Sequence, residues 1–281
     1  MINLSMDFAR FAEPPIPADL ILHVNGTPDV EHFLRGGMEV ATMLQLAAKQ
    51  FGGKLIEQSG RVLDFGCGCG RILRFLDREQ AETSGTRIHG CDTDSRVIAY
   101  AKKAHPWVDL DVTPTMPPLP YAANFFDLIY AFSVFSHLRE DVEALWLAEL
   151  ARIGRSGCLY LLTVHGDWFI ESTMPERRQE IEDAGGFYLA ETGELYSSFP
   201  DYYHQSYHTS DYLRREWSAH FEILDIIRGD DAARYAFGGA QPATELPMRP
   251  MGQDLVVARK RVIQAARCCF RLSISSCRSM M

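Results

Sequence analysis

The sequence predicts an α/β fold, a parallel sheet wound with helices on both faces. Three observations carry that prediction. From residue 61 onward, short apolar runs alternate with helically spaced ones, the rhythm of parallel strands joined by crossover helices. One run, Phe126-Asp127-Leu128-Ile129-Tyr130-Ala131, is apolar on both faces, as a central parallel strand should be. The first run, Arg61–Phe65, leads into Gly66-Cys67-Gly68-Cys69-Gly70, with glycine at every other position.

In chain order, residues 1–26 hold Pro14, Pro15 and Pro17 and read as extended. Thr27-Pro28-Asp29 reads as a helix start, a hydroxyl cap followed by proline and an acid. Gly36-Gly37 is expected to interrupt or kink that helix, with a second stretch over 38–51 closed by Gly52-Gly53. Strand Arg61–Phe65 is followed by a helix beginning at 71–77. Strand 87–91 is followed by helix Ser95–Ala104, which Ser95 can cap. A weak strand falls near 108–112, then strand Phe126–Ala131. Helix 142–153 turns Leu145, Leu147, Leu150 and Ala151 inward, and strand 158–164 follows. Residues 166–208 break the rhythm with a charged helix at 175–183, a Gly185-Gly186 turn and an aromatic stretch from Tyr202 to His208. Thr209 or Ser210 caps one more helix, and 221–227 and 254–258 are the last strands.

Composition narrows the class. The 281 residues suffice for a sizeable core, and 47% hydrophobic with 23% charged residues is ordinary for a globular chain. A net charge of −9 argues against a general nucleic-acid backbone binder. No apolar run approaches the ~18 residues of a membrane span, and no signal segment opens the chain. Seven scattered cysteines without a C-x-x-C pair read as reduced thiols, with a cytoplasmic location and no metal site expected. From 261 to 281 the chain is basic and is expected to be a frayed tail.

Alternate glycines let a backbone take positive φ and approach a ligand closely, and a helix start offers N–H groups to an anion. A nicotinamide-type G-x-G-x-x-G from Gly66 would need a small residue where Arg71 stands. Asp92, 22 positions after Gly70 at a strand's carboxyl end, is placed to accept the hydroxyls of an adenosine ribose. The alternative is that Asp92 or Asp94 merely begins the next helix.

Together VLDFGCGCGR, GCDTD, FDLIYAFSVFSHL, GCLYLLTVHG and GQDLVVARK resemble the class I S-adenosylmethionine-dependent methyltransferases, in particular a bacterial small-molecule branch with an N-terminal helical segment. The resemblance spans roughly 27–260. It implies a Rossmann-like, seven-stranded, mostly parallel sheet with the last strand antiparallel. It also implies a helical lid segment at 1–53 and a cofactor domain at 54–260 with a lid insertion at 166–208. Carried over by position, Asp64 would orient the methionyl amino group. Gly66, Cys67 and Gly68 would pass along the methionyl and ribose portions, and Gly70 would permit the turn. Asp92 would bind the ribose, with Thr93 beside the adenine and Phe132 offering backbone. The adenine-amine contact stays open among Asp109, Asp111 and Thr113.

The implied reaction is methyl transfer to an oxygen or nitrogen of a small-molecule acceptor. The competing reading is a non-catalytic regulator or scaffold that binds S-adenosylmethionine or S-adenosylhomocysteine. His165, just past the fifth strand, is the leading candidate for a base, because an imidazole there is expected to titrate near working pH. His137 is the second, with helix-start packing as its alternative role. Tyr202, Tyr203, His204, Tyr207 and His208 are candidates for the acceptor pocket.

Overall fold

The structure, a computed structural model, describes residues 11–190, 201–231 and 252–261. Its nine strands among these are β1 (Arg61–Phe65), β2 (Arg87–Asp92), β3 (Asp109–Val112), β4 (Phe126–Ala131), β5 (Gly154–Val164), β6 (Phe187–Ala190), β7 (Gln205–His208), β8 (Glu222–Ile227) and β9 (Asp254–Arg259). Seven of them form one sheet in the order β3-β2-β1-β4-β5-β9-β8, and β6 and β7 form a separate hairpin. β3, β2, β1, β4 and β5 pair in parallel, whereas β9 runs antiparallel to both β5 and β8. The sheet is thus the mostly parallel one expected, with the last described strand reversed and inserted between β5 and the edge strand β8.

Eight helices complete the described chain: α1 (Ala18–Asn25), α2 (Val30–Gly52), α3 (Arg78–Ser84), α4 (Ser95–Ala104), α5 (Glu140–Ile153), α6 (Asp167–Thr173), α7 (Arg178–Asp183) and α8 (Ser210–Glu216). Strand side chains alternate between faces, so each central strand feeds two cores. Val62, Leu128, Tyr130, Leu161 and Val257 pack with Leu20, Phe33, Leu44 and Val97 of α1, α2 and α4. Leu63, Ile129, Tyr160, Leu162 and Val256 pack with Trp146 and Leu150 of α5 and Leu213 of α8. This two-sided burial explains why β4 is apolar without alternation.

Several local expectations are corrected. Residues 18–25 are helical rather than extended: α1 starts directly after Pro17, buries Leu20 and Ile21, and stops at left-handed Gly26. The prolines upstream masked a helix that they in fact initiate. Asp29, not Thr27, caps α2, its side chain accepting from the His32 N–H. α2 runs unbroken through Gly36-Gly37. Its buried stripe Phe33, Leu34, Val40, Ala41, Met43, Leu44, Ala47 and Ala48 stays in phase on both sides of the pair, and that burial outweighs about 1 kcal/mol per glycine. Residues 73–75 form a 3-10 turn, and the α-helix after the glycine turn begins only at Arg78 behind its cap Asp77. Asp94 rather than Ser95 caps α4. In α5 Leu145 is exposed at 49%, because residues 145 and 147 lie about 200° apart on a helix and cannot both face inward. Val142, Trp146, Leu147, Leu150 and Ile153 are the buried apolar ones, and Ala151 is half-buried. Of the two caps left open for α8, Thr209 is the one used.

The segment 201–208 is threaded into the domain. Its backbone donates from His204 to His137, from Ser206 to Ser136 and from His208 to His165. Behind it, Glu143 of α5 is buried and accepts from His208 Nε2 at 2.6 Å, Trp217 Nε1 at 2.8 Å and Tyr212 Oη at 3.3 Å. These bonds tie α5, β7 and α8 together beneath the site. Residues 1–10 and the expected tail beyond 261 lie outside the described residues.

Candidate functional site

Parallel strands point their carboxyl ends at one rim, and ligands of open α/β sheets bind there. At the end of β1, Gly66, Gly68 and Gly70 take φ of 76°, 52° and 82°, values that side-chain-bearing residues rarely adopt. The turn is pinned from beneath. Gly66 and Cys67 donate to the Cys91 carbonyl, Gly70 to the Cys67 carbonyl, and Gly68 to Asp92 Oδ2 at 2.9 Å. These four N–H groups are therefore spent inside the protein, and no α-helix start follows directly. The anion-binding device expected from the sequence is not formed by them. Space is tight above: a Cβ on Gly66 would run into Val134, and one on Gly68 would lie 3.0 Å from Val24 of α1.

Asp64 is 1% exposed, and its Oδ2 has no hydrogen-bond partner among the described residues. Burial pushes its pKa up to about 8, with the Tyr130 hydroxyl opposing the shift and the charge of Asp92 adding to it. Buried polar atoms are normally paired, so an open carboxylate oxygen beside a glycine turn fits a cationic group of a ligand. Asp92 is also raised by burial, while the N–H groups of Asp94 and Gly68 pull the other way. Its two oxygens cap those amides at 3.0 and 2.9 Å, a brace between β1 and β2. Thr93 next to it is exposed, and Phe132 at the end of β4 is half-buried. Asp111 and Thr113 lie toward the carboxyl end of β3, where Asp111 accepts from Tyr121 Oη at 3.2 Å, whereas Asp109 opens the strand at the opposite end, beside His89.

Beyond β4 and β5 lies a polar cluster. Ser133 sits at φ 59°, a costly conformation for serine, held by its N–H to Thr163 Oγ1 at 2.8 Å. Gln253 Nε2 donates to Ser133 Oγ at 2.9 Å and to Ser136 Oγ at 3.3 Å, and its Oε1 accepts from Thr163 at 2.5 Å. His137 Nδ1 donates to the His204 carbonyl at 2.8 Å, which leaves Nε2 as the acceptor facing Ser133 Oγ at 3.4 Å. Its ring stacks on Tyr203 at 4.6 Å. His165 lies edge-on to His137 at 5.7 Å and packs on Phe169 and Tyr207 at 4.2 and 5.3 Å. It is buried, and its Nδ1 has no hydrogen-bond partner among the described residues. The two candidate histidines are thus neighbours.

Neither imidazole titrates near neutrality. Burial, reinforced by His137 and His208, lowers the His165 pKa to about 3, and burial lowers that of His137 to about 4. Of the aromatic stretch, Tyr203 and Tyr207 meet these histidines. Tyr202 instead donates to the Thr115 carbonyl, and the His204 ring turns to the Asp201 carbonyl. The other candidate there, His208, is fully buried against Glu143. Ser133, Ser136, Thr163 and Gln253 were not singled out from the sequence. Their small polar side chains carry no spacing signal, and only the packing of β4, β5 and β9 brings them together. Among the described residues no group of three or more His, Cys, Asp or Glu is placed to hold a metal, and no helix is long and apolar enough to cross a membrane.

One open prediction belongs to Asp64. An acid raised above its ordinary value binds its proton more tightly in the fold than in the unfolded chain. The unliganded protein should therefore lose stability as pH rises from about 4 to about 8. A cationic ligand reverses the preference, so affinity for S-adenosylmethionine should rise with pH through about 8 with release of a proton. Calorimetry in buffers of different ionisation enthalpy measures that proton, and Asp64→Asn should remove it.

A family model described as a methyltransferase domain matches residues 63–162, which spans β1 to β5. No curated protein matches the chain. Among solved structures, a SAM-dependent methyltransferase from Methanosarcina mazei is 17% identical, covering 73% of this chain and 94% of its own, with a TM-score of 0.49. An S-adenosylmethionine-dependent methyltransferase from Mesorhizobium loti is 17% identical over 76% and 98% of the two chains, at 0.48. A geranyl diphosphate C-methyltransferase from Streptomyces coelicolor, in complex with magnesium, geranyl diphosphate and S-adenosyl-L-homocysteine, is 12% identical over 74% and 76%, at 0.46. A methyltransferase-domain match thus runs across β1 to β5, whose carboxyl rim holds the glycine turn and the open carboxylate of Asp64.

Proposed function

We propose that the chain methylates an oxygen or nitrogen of a small-molecule acceptor bound over the ends of β4 and β5. The observation that carries this is the cluster of Ser133, Ser136, His137, Thr163, His165 and Gln253 beside Val134, which itself abuts the glycine turn. S-adenosylmethionine, when bound, supplies a methyl carbon made electrophilic by its sulfonium. Asp64 holds the methionyl ammonium, Asp92 the ribose hydroxyls, and the backbone of 66–70 and Phe132 lies along the donor. In this reading the α1–α2 segment covers one end of the groove and the described residues 166–190 and 201–208 the other. Such a reaction needs alignment and exclusion of water more than it needs proton transfer.

The histidines fit that demand. With pKa values of about 3 and about 4, both are neutral above pH 5, and each keeps a ring nitrogen able to accept a hydrogen bond. In this role His165 Nδ1 accepts from the acceptor's N–H or O–H and aims the lone pair at the methyl, while the rings of Tyr203, Tyr207 and Phe169 shape the pocket.

His165→Ala is expected to lower kcat about 10- to 100-fold while leaving affinity for S-adenosylhomocysteine within about threefold. Wild-type kcat should show no inflection from these imidazoles between pH 5 and 8. Labelled S-adenosylmethionine incubated with a small-molecule extract should give an O- or N-methyl product. Label appearing on carbon, or only on macromolecules, would discard the proposal.

A further inference from the structure

Arg71 directly follows Gly70, and its guanidinium lies between the rings of Phe33 and Phe132, at 5.6 and 5.4 Å. Among the described residues the side chain has no ion pair, and its one hydrogen bond is from Nε to the Phe33 carbonyl at 3.4 Å. A guanidinium carries five N–H donors in a planar fork suited to a carboxylate, so most of this fork is unused. Burial lowers its pKa to about 10, opposed by Cys69 and by the charge of Glu39, and it remains a cation at neutral pH. Its neighbour Arg74, by contrast, donates to the Phe11 and Glu13 carbonyls and to Tyr100.

α2 is notched to receive this side chain. A Cβ on Gly36 would run into Arg71 Nη2, and one on Gly37 would lie 2.7 Å from the Arg71 carbonyl oxygen and 2.9 Å from Phe75. Two glycines inside a 23-residue helix weaken it relative to alanine. That cost is retained where it leaves room for the arginine.

The donor's amino-acid end carries two charges. Asp64 answers the ammonium. The turn amides of Gly66, Cys67, Gly68 and Gly70 are spent within the protein, so none of these four is left for the carboxylate. We propose that Arg71 binds the methionyl carboxylate of the donor, forming with Asp64 a clamp for a zwitterion, and that Gly36-Gly37 exists to admit it. This rests on the S-adenosylmethionine assignment. It makes the α2 face part of the donor site and accounts for the residue that set this turn apart from dinucleotide sites.

The test is calorimetry of the full chain with S-adenosylhomocysteine and with its decarboxylated analogue, S-adenosyl-3-thiopropylamine. Wild type should prefer the carboxylate-bearing ligand at least about tenfold. Arg71→Met should lose that preference by weakening S-adenosylhomocysteine alone. Gly36→Ala should do the same with a retained or raised melting temperature, because it displaces the guanidinium while improving helix propensity. Equal weakening of both ligands in both variants would make Arg71 a structural brace and overturn the proposal, as would an unchanged preference. Absence of binding of either nucleoside to wild type would instead remove the donor assignment itself.

Discussion

Asp92→Ala is expected to weaken S-adenosylmethionine binding about 100-fold or more while leaving the chain folded. Two effects add. The proposed hydrogen bonds to the ribose hydroxyls are charge-assisted, each contributing about 1.5–3 kcal/mol. The same carboxylate braces the site, because Oδ2 accepts from Gly68 and Oδ1 from Asp94. Its removal frees the turn at Gly68. Asp92→Asn is the informative companion. One amide oxygen can still cap a backbone N–H, so part of the brace survives while the charge is lost, and an intermediate loss is expected. Calorimetric titration with S-adenosylhomocysteine checks both. An unchanged affinity in Asp92→Ala would remove the ribose role.

Glu143→Ala is expected to destabilise the fold by about 3–5 kcal/mol, because it takes the shared acceptor from three buried donors at once. The carboxylate is 1% exposed and His208 is fully buried, so no water replaces the lost acceptor. His208 Nε2, Trp217 Nε1 and Tyr212 Oη would each become an unpaired buried donor, at about 1–3 kcal/mol apiece before relaxation. Thermal and urea unfolding measure the effect. The damage should spread to the acceptor side, because His208 donates its backbone N–H to the His165 carbonyl and lies one residue from Tyr207. Glu143→Gln keeps an acceptor oxygen and should lose less. A fall below about 1 kcal/mol in the alanine variant would mean that α5, β7 and α8 are held by packing alone.

The legible part of this protein was local in origin. Arg61–Phe65, Ser95–Ala104 and Phe126–Ala131 follow from runs of like residues and their flanking turns. The cap at Thr209 was equally direct. So was the placing of Asp64, Gly66, Gly68, Gly70 and Asp92, the residues proposed to face the donor, since they fall at strand ends within some thirty residues of chain. Errors arose where local cues competed with tertiary packing. Glycines that would break a free helix are carried by the buried stripe of α2, and prolines that suggested extension initiate α1.

By itself, then, the amino-acid sequence determined the α/β class, the glycine turn and the acid after β2, because strand period and turn chemistry act over a few residues. Tertiary structure alone decided the rest. It placed Gln253 against Ser133 across 120 positions of chain, buried both histidines until their pKa values fell far below neutrality, and set Arg71 in the notch of α2. Desolvation and long-range contacts have no signature in a local window of sequence. The glycine turn on which the donor proposal rests therefore could not reveal that Arg71 lies against α2 beside it.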